Sequence, residues 1–260
     1  MPSRRLPNSM PAVIRTLKAA RDAWKNTPVA ADRAISAEHW ARLDDTDDES
    51  FLNQLLKEAS DVDLALAAQA PLSSQFSQVY ARLTLFVSHF HQVLDMGIAR
   101  GAFAAGARGY YGRDIGSTTI PDLSNQVAVM EAAEAVVTGE AARDTAEDTA
   151  YVPMALPSAA EVATLRTQFL TLRNQREQAV VKTDREREEL MALYAEAQAL
   201  AVDICDTVEF FYRKDPDAGS RRTKCERWGV VYHFEPGEQP APAPNPNPDP
   251  APNPAPAPNP

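Results

Sequence analysis

Apolar positions recur at steps of three and four through most of the chain, the spacing that lines side chains up on one face of a helix. The longest such stretch is 157–214. Val162, Leu165, Phe169 and Leu172 make one stripe, and Leu190, Leu193, Ala197, Leu200, Ile204, Val208 and Phe211 make a second. Between them, 173–189 is largely charged and has little to bury. Two capping-box patterns, Ser158 with Glu161 and Thr183 with Glu186, favour two helices, 159–182 and 184–213, folded back as a hairpin over 158–213. The alternative is one unbroken helix, because no Gly or Pro occurs between Pro157 and Pro216. At about 1.5 Å per residue it would run for about 80 Å.

The same periodicity places a first helix over 10–25, with Val13, Ile14, Leu17, Ala20 and Trp24 on one face and Pro11 in its first turn. A short helix over 36–43 carries Trp40. Thr46 and Glu49 form another capping-box pattern, which opens a helix with Leu52, Leu55, Leu56, Ala59 and Val62 on one face. Pro71 is expected to end it, since the residue before a proline is steered away from helical dihedrals. The most apolar helix follows over 73–100, with Phe76, Tyr80, Leu83, Phe86, Phe90 and Val93 in one stripe. Six of the ten glycines then fall between Gly97 and Gly116, where regular helix should fail. A helix restarts near Pro121 and runs to Gly139, and an acidic loop over 140–150 leads to the long stretch.

These elements predict an all-α fold. It is an antiparallel helical bundle of about four long helices after Pro71, with extra N-terminal helices over 1–70 that pack on the bundle or stand apart. The bundle occupies 71–235. Near its end, 229–234 (Gly-Val-Val-Tyr-His-Phe) has strand propensity and must lie extended across the bundle or pair with another strand, in this chain or a second one. From Pro240 to Pro260 every second residue is proline. The tail, 236–260, is therefore disordered or polyproline II, and its repeat reaches about 65 Å as a spacer, stalk or docking ligand.

Composition narrows the function. The net charge of −10 argues against general nucleic-acid binding. Cys205 and Cys225 lack metal-ligand spacing, and Cys205 lies beside an apolar stripe, a usage closer to that of a reducing compartment; a disulfide between them stays open. The basic N-terminus has no following apolar run and so carries no secretory signal. Ser88, His89, His91, Gln92 and Asp95 interrupt the most apolar segment, so no membrane span is expected and the location is taken as cytoplasmic.

Candidate chemistry concentrates in two places. Arg108 and Arg113 flank two tyrosines in the glycine-rich stretch, which could grip a phosphate, or else simply connect helices. Arg221, Arg222, Lys224 and Arg227, next to Trp228, form the strongest basic cluster, suited to an acidic partner or to pairing with neighbouring carboxylates after a helix end. His91 and Asp95 have helical spacing for a shared metal, but no third ligand follows from the sequence, and neither metal nor cofactor is expected. No nucleophile motif, P-loop or dinucleotide fingerprint is present. The expectation is a non-enzymatic structural or interaction protein that forms homo-oligomers, with the repeat as spacer. The alternatives are an anion- or metal-binding bundle acting as an enzyme, and an adaptor whose proline repeat is the ligand.

Overall fold

The structure is a computed structural model that describes residues 3–147 and 151–233. The fold is all-α. Its elements are β1 (Ser3–Arg5), α1 (Met10–Lys25), α2 (Ala37–Leu43), α3 (Phe51–Ala99), α4 (Ala107–Tyr110), α5 (Gln126–Glu147), α6 (Ala159–Ala192), α7 (Tyr194–Tyr212), α8 (Ala218–Arg227) and β2 (Val231–His233). The described residues fall into two compact units, one made of 3–59 with 189–233 and the other of 60–147 with 151–188.

In the first unit α1 packs on α7. Val13, Leu17 and Ala20 meet Ala197, Leu200, Ile204 and Val208 around Leu43, Leu52, Leu55, Cys225 and Trp228. Each large aliphatic side chain buried there contributes about 1.5–3 kcal/mol. Trp24 and Trp40 stack with ring centres 5.3 Å apart, and the Arg33 guanidinium lies 4.2 Å over Trp24. The extended 229–234 segment finds its partner in the chain's own N-terminal strand: β2 pairs antiparallel with β1, Arg4 opposite Tyr232. Phe234 and the proline-rich tail lie outside the described residues. Gly229 makes the turn into this strand at φ 91°, where an added Cβ would stand 2.7 Å from the Thr16 carbonyl oxygen.

The second unit is built on Phe76, Leu83, Val87, Phe90 and Leu94 of α3, which meet Val129, Ala133 and Val136 of α5 and Val162, Leu165 and Phe169 of α6. The Phe169 ring sits 5.0 Å from Phe76 and 5.8 Å from Tyr80.

Four expectations are corrected. The helix does not end before Pro71: α3 runs through it. Pro71 is exposed, so the turn that lacks its N–H lies on the solvated side of the helix, while Val62, Ala65 and Phe76 are buried to either side of it along the chain. Thr46 is not the cap of that helix. Its hydroxyl donates to the Asp44 carboxylate at 2.8 Å, and α3 begins only at Phe51. No hairpin turn forms at Thr183, which is buried within α6; its hydroxyl lies 2.9 Å from the Ala179 carbonyl and 3.0 Å from Gln69 on α3. The only break in the run is Leu193, itself right-handed helical at φ −83° and ψ −11°. Finally, α5 starts at Gln126, with the Asn125 side chain accepting from the Ala128 N–H at 3.0 Å, and passes Gly139 to reach Glu147. Gly139 serves close approach instead of termination, since an added Cβ would stand 2.7 Å from the Tyr111 ring. The capping box at Ser158 does form, and α2 opens on one that the sequence pattern does not announce, between Ser36 and His39.

Candidate functional site

Arg108 and Arg113 come together, but inward. α4 and the turn at Gly112 (φ 70°) fold them onto Asp95 of α3. Arg108 Nε donates to one carboxylate oxygen at 2.7 Å, and Arg113 Nη2 donates to the other at 2.7 Å. The carbonyls of Ile115, Thr119 and Ser117 accept further bonds at 2.8–3.3 Å, while Arg113 Nη1 is buried without a partner among the described residues. Burial alone would raise the Asp95 pKa; the hydrogen bonds from the two guanidiniums outweigh it and hold the carboxyl below its usual range. Both oxygens of Asp95, the one metal-spaced partner of His91, are thus engaged by cations.

His91 is fully buried, and neither ring nitrogen has a hydrogen-bond partner among the described residues. Its ring lies edge-on to Phe90 at 5.8 Å and to Tyr111 at 6.5 Å. Burial first, then repulsion from Arg113, depress its pKa to about 4, with Asp95 offsetting only part. It is a neutral imidazole in the core.

Behind it lies a network that falls where the sequence suggested a loop. Glu140 accepts from the hydroxyls of Tyr111 and Tyr151, from the Met154 N–H at 3.0 Å and from Arg143 Nη2 at 3.1 Å. Arg143, fully buried, also donates to the Tyr111 oxygen at 2.9 Å and to the Val152 carbonyl at 2.7 Å. Burial and the Glu140 charge push both tyrosines up, Tyr151 to about 12. One buried cation, one buried carboxylate and satisfied hydroxyls make this a lock between α5, the α4 loop and 151–154.

The second basic cluster separates. Lys224 is paired with Asp215 at 2.7 Å. Trp228 is 2% exposed and donates its indole N–H to Tyr212 at 3.2 Å, so it belongs to the core. Arg227 and Trp228 line one hollow, with Asp22 and Asp32. Arg221 and Arg222 line another, of about 260 Å³, with Arg213, Glu209, Cys225 and Tyr232. Sequence reading missed Arg213, which precedes the helix breakers; its guanidinium sits 3.4 Å over the ring of Phe210.

This groove is electrostatically unbalanced. Its one carboxylate, Glu209, is already engaged by Arg4 at 3.1 Å and by the Tyr232 hydroxyl at 2.8 Å. Among the described residues Arg213, Arg221 and Arg222 enter no ion pair. Three guanidiniums on a chain of net charge −10 therefore present unspent donors for carboxylate or phosphate oxygens. No family model, no curated protein and no solved structure matches the chain, so the reading of this groove rests on its own geometry.

Proposed function

We propose that the protein is a non-enzymatic, self-associating interaction protein whose proline repeat acts as a spacer. The observation that carries this reading is the surface at the end of α7. Phe210 is 64% and Phe211 42% exposed, and the Phe210 ring lies under the guanidinium of Arg213 of the groove. Exposed aromatics together with unpaired arginines are the composition enriched where protein interfaces concentrate their binding energy.

No helix among the described residues is long and apolar enough to cross a membrane. The experiment is light scattering over a wide concentration range, on 1–260 and on 1–239. Self-association gives a mass that rises with concentration in both. A monomer at every concentration overturns the reading. A difference between the two chains would place the association in the repeat.

A further inference from the structure

The groove implies a chemistry for its occupant, and the same unit carries that chemistry elsewhere. The loop between α2 and α3 reads Asp44-Asp-Thr-Asp-Asp-Glu49. Most of its first carboxylates are spent locally: Asp44 accepts from Thr46, Asp45 pairs with Lys25 at 2.5 Å, and Asp47 accepts from the Glu49 N–H at 3.0 Å. Asp48 and Glu49 are exposed and enter no ion pair among the described residues. Two unspent carboxylates thus face solvent on one surface, and unspent guanidiniums line a groove on another, without an ion pair joining them inside one copy.

We propose that Asp48 and Glu49 of one copy dock on Arg221 and Arg222 of a second copy, with Phe210, which carries Arg213 over its ring, packing at the edge of the contact. This rests on the self-association proposed above and assigns its surfaces. Arginine forks match carboxylates bidentately, and these pairs would be rim-exposed, setting orientation and association rate and weakening as salt rises. Groove and loop are different patches, so a contact that does not close two copies on each other propagates into a ring or filament.

The test is charge exchange on the full chain. R221E/R222E and D48K/E49K are each prepared, with circular dichroism and thermal unfolding as controls of folding, and their mass is read by light scattering. In low salt the wild type exceeds 28.4 kDa and returns toward it as salt is added. Each variant alone stays at 28.4 kDa, with association weakened by about tenfold or more. An equimolar mixture of the two recovers the larger mass, because each variant supplies the charge the other lacks. A chain carrying both exchanges recovers it alone.

If R221E/R222E associates as the wild type does, the protein self-associates through another surface: the groove assignment falls while the self-association reading stands. If the wild type is monomeric throughout, both fall. If each variant is monomeric and the mixture is too, the pairing of loop with groove is overturned. Should inorganic phosphate bind the wild type but not R221E/R222E, with no change in mass, the groove is a small-anion site and the docking inference is overturned.

Discussion

His91 offers a direct probe of the second unit, because a buried imidazole without hydrogen bonds links stability to pH with a definite sign. In the folded chain its pKa is about 4, against an ordinary value of 6.5. The unfolded chain therefore binds the extra proton first. Stability is unaffected well above pH 6.5, falls as pH drops through 6.5, and stops falling near pH 4. Between pH 8 and pH 5 this linkage removes about 2 kcal/mol, or about 4–8 °C of melting temperature for a chain of this size. The nearby carboxyls do not contribute in that interval. Asp95 and Glu140 are held below ordinary values of 3.8 and 4.5, so their stabilisation is present above those values and is lost only at lower pH. The perturbation is His91→Leu, which keeps roughly the volume and removes both the proton site and two unsatisfied nitrogens. At pH 8 the variant should lie within about 1 kcal/mol of wild type. The assay is thermal unfolding by far-ultraviolet circular dichroism at the two pH values, with tryptophan emission as the control, since Trp24, Trp40 and Trp228 all lie in the first unit. The wild type should lose the stated stability and the variant should not. Equal losses in both would refute the reasoning, as would a wild type that does not respond.

Other perturbations test other parts of the argument. E140Q removes the buried carboxylate that balances Arg143 and should cost about 3–5 kcal/mol, read as a lower midpoint in guanidinium; a change within error would mean Glu147 suffices. P71A restores an N–H and removes a ring clash in an exposed stretch of α3, and should stabilise the chain by up to about 3 kcal/mol. A loss of stability instead would show that a bend at Pro71 is required. G229A forces a left-handed backbone on alanine and drives its Cβ toward Thr16, which should cost at least about 2 kcal/mol. It is followed by tryptophan emission, and an unchanged melting temperature would contradict the close approach.

The order of helices was legible because periodicity is a local signal. α1 and α2 fall within a residue of their expected spans, 10–25 and 36–43, and the box at Ser158 forms. The errors lie where local signals carry their usual meaning but tertiary packing outweighs them. By local signals Pro71, Gly139 and Thr183 each mark a helix boundary. Each sits inside a helix, because an exposed proline harms only a solvated turn, a glycine can admit a neighbouring ring, and a buried threonine can bond back to its own helix. The acidic stretch after Gly139 has no apolar stripe and predicts a loop, which leaves Glu140 and Arg143 unrecognisable in the sequence as a buried pair.

What the sequence by itself determined is the all-α class, the amphipathic faces and the excess of charge, since all three depend only on residue type and spacing along the chain. Only the tertiary structure decided which charges are spent. Asp95 lies 13 residues from Arg108 and 18 from Arg113, yet it draws both guanidiniums of a basic, aromatic loop inward as struts. Arg213 joins Arg221 and Arg222 because the chain reverses between α7 and α8, while Lys224 and Trp228 of the same cluster turn to Asp215 and to the core. Whether a guanidinium is a structural strut or an open donor depends on which carboxylate the fold brings within reach, and a one-dimensional pattern holds no distance.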